Sequence, residues 1–494
     1  MSTVISTDGT SAILDGMHAD ISAAWLRSHR TMLRSLYFHH MYILKELPVE
    51  LGQLEELETL EFDSCGALTT LPSSLYRLVI LKTLTLKWCS ALTGLPESLG
   101  ELSALKVLNL YANSVMTALP ESLGRLWSLT TLVIESCHGL TRLPASLGQL
   151  AALTTLNLSV CTTLTELPES LGQLARLTVL DLHSCFALTR LPESLGQLTQ
   201  LTTLDLTACN ILRALPESLG QLTQLTTLDL RSCHALPRLP ESLGRLTGLS
   251  ALDLSSWHVL TMLPESLGQL ARLSSLRLRV DPALTGLPES VGQLAELTIL
   301  DIHGCYALKR LPDSLGQLTA LTTLDLALCY MLTELPRSLE RLTSLTTLEL
   351  SACYALTRLP ESLGHLTALI ALNLTSCHAL TLLPDSMGRM HALTTLYIAS
   401  CRSLTKLPRL PPGLQLLDMH GCPILRQLPV SLAQVPFIIS DHDCLPEMLG
   451  ARYHLPSMLS LIVAGRRQRR RGLPQELWCL IASEHFPTVF NIPR

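Results

Sequence analysis

Cysteine has the widest chemical range of the residues in this chain, since a thiol can form a disulfide, bind a metal ion or act as a nucleophile. The chain has 15 cysteines among 494 residues. Because repeated, identical surroundings do not bring different catalytic or ligating groups together, a cysteine that recurs at one position of a repeat predicts a structural role. Thirteen recur in this way: Cys65, Cys89, Cys137, Cys161, Cys185, Cys209, Cys233, Cys305, Cys329, Cys353, Cys377, Cys401 and Cys422.

Neither disulfide nor zinc chemistry fits this pattern. The number of cysteines is odd, and equivalent side chains in stacked turns have parallel Cβ vectors about 5 Å apart, whereas a disulfide needs about 3.8 Å. Zinc ligands converge, usually with short spacings, and no Cys-x-x-Cys occurs. We therefore expect a ladder of buried thiols that pack as small apolar groups and donate weakly to carbonyls. Asn113, Trp257 and Asp281 interrupt the ladder, and they either mark a bend or specialised site or result from drift.

The spacing of the cysteines comes from a repeated unit of constant length. The dipeptide Leu-Pro recurs in register from Leu47 and Pro48 to Leu407 and Pro408, which gives sixteen equally spaced prolines. Residues 191–214 show the whole unit, L-P-E-S-L-G-Q-L-T-Q-L-T-T-L-D-L-T-A-C-N-I-L-R-A. The length of the chain would allow about three ordinary domains. One unit copied many times instead predicts a single solenoid.

Each unit predicts one short strand and one turn. Alternation places Leu204 and Leu206 inward and Asp205 on the opposite face. Because the repeat is too short to contain a βαβ unit, successive strands must stack in parallel. The P-E-S-L-G-Q-L half predicts a 3₁₀ or irregular turn. The expected fold is an α/β repeat solenoid, a curved horseshoe with about 17 short parallel strands on its concave face, turns on its convex face, a helical N-terminal cap and a C-terminal helical tail.

These units resemble the leucine-rich repeat family, whose L-x-x-L-x-L-x-x-[NC]-x-x-L signature recurs over about residues 33–435. The L-x-x-L-P-x-x-[LI]-G-x-L pattern, the Cys-x-x-Leu variant and the terminal L-P-x-L-P-P-x-L unit are most similar to the repeats of plant intracellular nucleotide-binding immune receptors. The resemblance implies a non-enzymatic intracellular module for protein recognition or scaffolding in signalling or defence. It does not extend to a nucleotide switch, because no G-x-x-x-x-G-K-[ST] loop occurs.

The flanks of the repeats complete the predicted domain organisation. Residues 1–32 are expected to form an N-terminal helical cap that includes an amphipathic segment over 13–33. Residues 33–435 form the solenoid, and 436–494 form a C-terminal cap and basic tail. Four adjacent residues at 441–444 contain histidine, cysteine and two aspartates, but neighbours in sequence rarely converge on one ion.

A short segment of the tail suggests an alternative function. From Leu473 the chain reads L-P-Q-E-L-W-C-L-I, which resembles the opening helix of F-box motifs, and the segment from Leu473 to Arg494 has about half the length of an F-box. The resemblance implies a substrate-recognition subunit of a cullin-type ubiquitin ligase, with the ligase adaptor as its partner at the C-terminus.

The residue between the two inward leucines of each strand forms a mostly acidic column. Carboxylates about 5 Å apart repel each other weakly in water, so the column favours a cationic partner, and we expect a concave groove for a basic peptide or protein. The alternative is that aspartate was inherited as the repeats duplicated. Arg277 interrupts the column and is either a contact residue or the ion-pair partner of Asp253 and Asp301.

Departures from the repeat mark further contact candidates, because exposed Trp, Tyr and Arg dominate interface energetics. One group lies near the N-terminal end and the other around Arg277, and aromatic or histidine residues after several ladder cysteines are expected to line the rim of the sheet. The candidate protein-binding residues are Lys87, Trp88, Tyr111, Asp181, Asp205, Asp229, Arg231, Asp253, Arg277, Arg279, Asp301, His303 and Asp325.

Composition excludes several other classes of protein. A net charge of −5 argues against a chain-wide basic surface for nucleic acid, and no apolar run approaches the roughly 18–20 residues of a membrane span. The first residues lack a secretory signal, so we expect a cytoplasmic protein. Five arginines offer a nuclear alternative: Arg466, Arg467, Arg469, Arg470 and Arg471. No G-x-S-x-G or H-E-x-x-H occurs, so we expect no enzyme, cofactor or metal.

Overall fold

The predicted solenoid is confirmed in the computed structural model, which describes residues 2–5, 9–16, 23–440 and 462–463. Successive repeats add one strand each to a single parallel sheet. The strands are β1 (Ser2–Ile5), β2 (Ser11–Asp15), β3 (Ser35–His39), β4 (Thr59–Asp63), β5 (Thr83–Lys87), β6 (Val107–Asn109), β7 (Thr131–Val133), β8 (Thr155–Asn157), β9 (Val179–Asp181), β10 (Thr203–Asp205), β11 (Thr227–Asp229), β12 (Ala251–Asp253), β13 (Ser275–Arg277), β14 (Ile299–Asp301), β15 (Thr323–Asp325), β16 (Thr347–Glu349), β17 (Ala371–Asn373), β18 (Thr395–Tyr397), β19 (Leu416–Asp418), β20 (Phe437–Ser440) and β21 (Ile462–Val463).

The seventeen strands expected from the repeat are β3 to β19, and the parallel sheet extends beyond them at both ends. β2 pairs in parallel with β3, and β20 pairs in parallel with β19. Two short strands then cover the edges: β1 is antiparallel to β2, and β21 is parallel to β20. Paired end strands reduce the number of open backbone groups at the ends of the sheet.

The turns of the convex face are short 3₁₀-helices, each preceded by a residue in extended conformation. Pro216, for example, has φ −68° and ψ 148° and lies immediately before one of them. Proline suits this position because a backbone N–H at the start of a helix has no partner within the helix, so no hydrogen bond is lost when proline lacks it. Within the described residues these helices are Val49–Gln53, Ser73–Arg77, Glu97–Glu101, Glu121–Arg125, Ala145–Gln149, Glu169–Gln173, Glu193–Gln197, Glu217–Gln221, Glu241–Arg245, Glu265–Gln269, Glu289–Gln293, Asp313–Gln317, Arg337–Arg341, Glu361–His365, Asp385–Arg389 and Val430–Gln434.

In most repeats a glutamate and a glycine join the convex turn to the next one, whereas Tyr76 and Glu340 stand at the glycine position of two turns. Glu217 Oε2 accepts a hydrogen bond from the backbone N–H of Ser242 at 3.2 Å, which gives that unpaired helix-start donor an acceptor. A Cβ on Gly220 would lie 2.4 Å from the carbonyl oxygen of Ser242, so only glycine allows the two turns to approach this closely. The same glutamate contact occurs at Glu97, Glu121, Glu169, Glu241, Glu265, Glu289 and Glu361.

The N-terminal cap differs from the sequence prediction. The segment 13–33 does not form one continuous helix, because Ile13 lies in β2, and the described helix, α1, spans Ala23–Ser28. Leu26 of α1 is fully buried, and Trp25 packs partly buried against the core. A strand and one short helix therefore cover the first turn. None of the described helices is long and apolar enough to cross a bilayer.

Much of the C-terminal segment 436–494 cannot be compared with its prediction. Apart from β20 and β21, this segment lies outside the described residues. The group at 441–444, the arginines at 466–471 and the F-box-like segment from Leu473 belong to that part.

Candidate binding surface on the concave face

The ladder cysteines connect each turn to the preceding one. All thirteen are buried, and the thiols of twelve donate to a carbonyl of the preceding turn, with S···O distances of 2.8–3.5 Å. Cys185, for example, donates to the carbonyl of Leu158, which lies 27 residues earlier. Burial raises the pKa of Cys185 and of Cys233 to about 12. These two thiols therefore remain protonated at neutral pH.

Asn113 and Trp257 replace the thiol as donors at two of the interruptions. Asn113 Nδ2 donates to the Leu86 carbonyl at 2.8 Å, and the indole Nε1–H of Trp257 donates to the Leu230 carbonyl at 2.6 Å. The large indole changes the backbone locally. His258, directly after Trp257, has φ 53°, whereas in the neighbouring turns only the residue before the ladder position has a positive φ.

The acidic column is aligned residue by residue along the sheet, and its aspartates also have a local structural role. Asp205 Oδ1 accepts from the backbone N–H of Thr207 at 2.8 Å, and Asp253 Oδ1 accepts from that of Ser255 at 3.0 Å. Such contacts stabilise the bend that ends each strand. The aligned positions run Asp181, Asp205, Asp229, Asp253, Arg277, Asp301 and Asp325.

Two carboxylates of the column are paired with arginines that stand two positions after the column residue of their own repeat. Arg231 bonds to both oxygens of Asp229, with Nε 2.9 Å from each. Arg279 Nε lies 2.5 Å from Asp301 Oδ2. Desolvation raises the pKa of Asp229, but the hydrogen bonds from Arg231 outweigh it, so this pKa lies below its ordinary value. Arg279, rather than Arg277, is therefore the partner of Asp301.

The other members of the column differ from these pairs. Among the described residues, Asp205, Asp253 and the exposed Arg277 make no ion pair. Desolvation, followed by repulsion from Asp301, raises the pKa of Asp325, and burial raises that of Glu349 to about 7. The concave face thus combines partly exposed carboxylates at Asp205 and Asp253 with desolvated ones further along.

One group on this face has the residue types of a metal site. Asp181, His183 and Asp205 each bring a ligand atom within 4.8 Å of the others. His183 Nδ1 is 2.9 Å from Asp181 Oδ1. The signal in the sequence was the Asp-x-His spacing on one strand with an aspartate in register on the next. His303 makes a longer contact of this kind, 3.9 Å from Asp325 Oδ1.

The N-terminal candidates form a separate cluster. The Trp88 and Tyr111 rings meet edge to face with centroids 5.3 Å apart, and Trp88 is 54% exposed. Lys87 Nζ lies 3.3 Å from Glu61 Oε1. Tyr111 follows β6 and Asp181 lies in β9, so they are three strand spacings apart, or about 15 Å. The structure therefore places the aromatic and acidic candidates on one face but not in one site.

A stack of rings lies at the position after the ladder cysteine. The Tyr306, Tyr330, Tyr354 and His378 rings are nearly parallel, with successive centroids 4.8, 4.7 and 4.8 Å apart. The ring separation matches the separation of strands, so the backbone repeat sets it. This contact between turns could be anticipated from the recurrence of aromatic residues at one repeat position.

Replacing Tyr330 by alanine is expected to lower the free energy of unfolding by about 1–3 kcal/mol, because it removes two ring contacts of about 0.5–1.5 kcal/mol each. Tyr306→Ala removes one contact of the stack and should cost about half as much. Urea unfolding followed by circular dichroism measures both. Equal losses in the two variants would show that stacking is not the source of the effect.

Comparisons with known proteins agree with this geometry. The chain matches the family described as leucine-rich repeat region over residues 73–186, 182–283 and 265–439. The structure of a leucine-rich repeat protein of Leptospira interrogans is similar, with 26% identity, a TM-score of 0.57, and coverage of 86% of this chain and 100% of that one. The functional domain of InlJ from Listeria monocytogenes, described as including a cysteine ladder, has 24% identity, a TM-score of 0.51, and coverage of 76% and 75%. A comparison with curated protein sequences finds no match.

Proposed function

Because the chain belongs to the leucine-rich repeat family, we propose that it is a non-enzymatic protein-recognition scaffold that binds a basic protein or peptide segment along its concave face. Leucine-rich repeats commonly mediate protein–protein recognition, and solenoids present extended concave surfaces suited to it. The observation that carries the proposal is the placement of Asp205 and Asp253, which make no ion pair within the described part of the chain and flank the Asp229–Arg231 ion pair on neighbouring strands.

The proposed contact surface covers the candidate residues from Asp181 to Asp325, with the exposed Arg277 within it. A cationic segment bound there would relieve the repulsion between aligned carboxylates. Trp88 and Tyr111 supply a second contact point, because the exposed Trp88, packed against the partly buried Tyr111, adds contact area at little cost in side-chain entropy. Asp229 and Asp301 contribute less, since arginines of the chain already occupy them.

The setting of this function rests on sequence resemblance. The similarity to the repeats of plant intracellular immune receptors supports a role in signalling or defence inside the cell, with the arginines at 466–471 favouring the nucleus as the alternative location. The segment from Leu473 supports the second candidate, a ubiquitin-ligase substrate receptor. Capture of a cullin-ligase adaptor by the full chain, but not by a chain that ends at residue 472, would support that candidate.

The double variant Asp205→Asn with Asp253→Asn tests the proposed surface. Asparagine keeps the Oδ1 acceptor of the strand-end bend, as Asn157 and Asn373 already do at equivalent positions, so the fold should be unchanged. The loss of these two negative charges from the concave face should weaken binding of a decameric arginine-rich peptide about tenfold, or about 1.4 kcal/mol. Fluorescence anisotropy at two salt concentrations measures the affinity and the expected smaller salt dependence.

The matched control is Glu55→Gln with Glu56→Gln, which removes two exposed carboxylates from the turn between Val49–Gln53 and β4 and keeps the net charge equal to that of the test variant. Its affinity for the peptide should remain that of the wild type. If both variants lose affinity equally, the peptide is attracted by net charge alone, and the concave face is not the binding surface.

A further inference from the structure

At most ladder positions the side chain donates a hydrogen bond to the preceding turn, as twelve of the thirteen thiols do. The carbonyl opposite it, on the preceding turn, points towards the next turn and receives a bond from the residue at the ladder position. Thiols supply it in most turns, an amide at Asn113 and an indole at Trp257. A buried carbonyl without such a donor is costly.

Asn113 shows how a planar side chain with two polar atoms occupies this position. Its Oδ1 accepts from the backbone N–H of Cys89, 24 residues earlier, at 3.1 Å. Its Nδ2 donates to the carbonyl of Leu86, 27 residues earlier, at 2.8 Å. One atom therefore accepts from the preceding turn while the other donates to it.

Asp281 stands at the same position and completes only half of this arrangement. It is fully buried, and its Oδ1 accepts from the Trp257 backbone N–H at 2.6 Å. Oδ2 is also buried and has no hydrogen-bond partner within the described residues. The hydrogen bonds of those residues likewise include none to the carbonyl of Leu254, which stands to Asp281 as Leu86 stands to Asn113. An ionised carboxylate is acceptor-only and cannot fill the role of Asn113 Nδ2.

We propose that the folded protein holds Asp281 in its protonated form, with Oδ2–H donating to the Leu254 carbonyl, and that loss of this proton weakens the contact between the turns that carry Trp257 and Asp281. The carboxylic acid then matches the asparagine at position 113 atom for atom. This boundary is then a pH-sensitive contact, whereas the amide of Asn113 and the indole of Trp257 at the same ladder position do not titrate near neutral pH.

The groups around Asp281 add no compensating positive charge. Asp253, at the end of β12, is negative and disfavours ionisation of Asp281. Cys305, at the next ladder position, donates its thiol to the carbonyl of Leu278. Of the two arginines shortly before it in the chain, Arg279 is paired with Asp301 and Arg277 is exposed. His258 contributes a backbone N–H, while its ring stacks on His234.

The pH dependence has a definite sign. Burial raises the pKa of Asp281 from its ordinary value of 3.8 to about 7, against the smaller opposing effect of the Trp257 and His258 N–H groups. The folded state therefore holds a proton that the unfolded chain releases. The stabilisation is complete below about pH 4 and is lost as the pH rises to about 7, with a change of up to about tenfold in the folding constant per pH unit.

The test compares the full-length wild type with Asp281→Asn by urea unfolding between pH 5 and pH 8. Asparagine supplies the donor at every pH, so the ratio of the two folding constants should change at least tenfold in its favour over this range. Both chains carry Glu349→Gln, because burial also raises the pKa of Glu349 to about 7. Infrared spectra should show the band of a protonated carboxyl at pH 6 that disappears in Asp281→Asn.

Asp281→Cys is the second variant, because it restores the commonest ladder residue and also removes the titrating group. It should lose the same part of the pH dependence whatever its absolute stability. Parallel pH curves for the wild type and both variants would overturn the proposal. So would a carboxyl band at pH 6 that is the same with and without Asp281.

Discussion

Replacing Gly220 by alanine is expected to destabilise the solenoid by about 3 kcal/mol. The new Cβ would lie 2.4 Å from the carbonyl oxygen and 2.6 Å from the Cβ of Ser242, so two rigidly stacked turns must move apart. Overpacking of this kind costs typically about 1–3 kcal/mol, and more where backbone has to shift. Urea unfolding gives the total loss. Because each turn contacts only its neighbours, hydrogen exchange should rise mainly in the turns on either side of the substitution.

Gly286→Ala is the matched control for this prediction. No heavy atom lies within 4 Å of the position that its Cβ would take, and its φ is not positive. Its effect should stay within about 0.5 kcal/mol of the wild type. A loss as large as that of Gly220→Ala would mean that glycine matters for backbone flexibility and not for the close approach of turns.

Replacing Trp257 by alanine should cost about 3–5 kcal/mol, the largest effect expected of a single change. The indole is fully buried, and its removal leaves both a cavity and a Leu230 carbonyl without its donor. Thermal or urea unfolding measures the loss. Trp257→Phe retains most of the volume and removes the N–H, so it should cost about 1–3 kcal/mol, the penalty for an unsatisfied buried acceptor.

Trp127→Ala is the control for Trp257→Ala, because it removes an indole that is 65% exposed rather than buried. Trp127→Ala should change the free energy of unfolding by less than about 0.5 kcal/mol. If Trp257→Phe proved as stable as the wild type, the hydrogen bond to Leu230 would contribute nothing, and the ladder would hold turns together by packing alone.

The fold followed from the sequence wherever the leucine pattern was intact. β3 was identified although Met41 replaces the ladder cysteine, because its leucines kept the phase. β2 was missed, even though its buried Ala12 and Leu14 lie one repeat length before Leu36 and Phe38 of β3. Alanine in place of leucine weakens the sequence pattern, although Ala12 is buried and keeps the register with Leu36.

The sequence predicted which residues share the concave face, but not which of them form ion pairs. Position in the repeat fixes which side chains share the concave face, because register in a parallel sheet is strict. Position in the repeat does not determine which carboxylate an arginine pairs with. Arg231 turns back to Asp229 on its own strand, whereas Arg279 reaches forward to Asp301. Several acceptors lie within reach of a long guanidinium side chain, and packing decides between them.

The hydrogen bonds between turns also have a direction along the array. In eight repeats the glutamate accepts from an N–H of the turn that follows, and twelve of the thirteen ladder thiols donate to a carbonyl of the turn before. Most turns thus offer the next turn the same acceptors that the previous turn offers them. A whole repeat can be duplicated or deleted without leaving a mismatched junction, so the concave face can lengthen or shorten in evolution by one strand at a time. The junctions at Asn113 and Asp281 differ from the others, because there a side-chain oxygen also accepts from the backbone N–H of the preceding ladder residue.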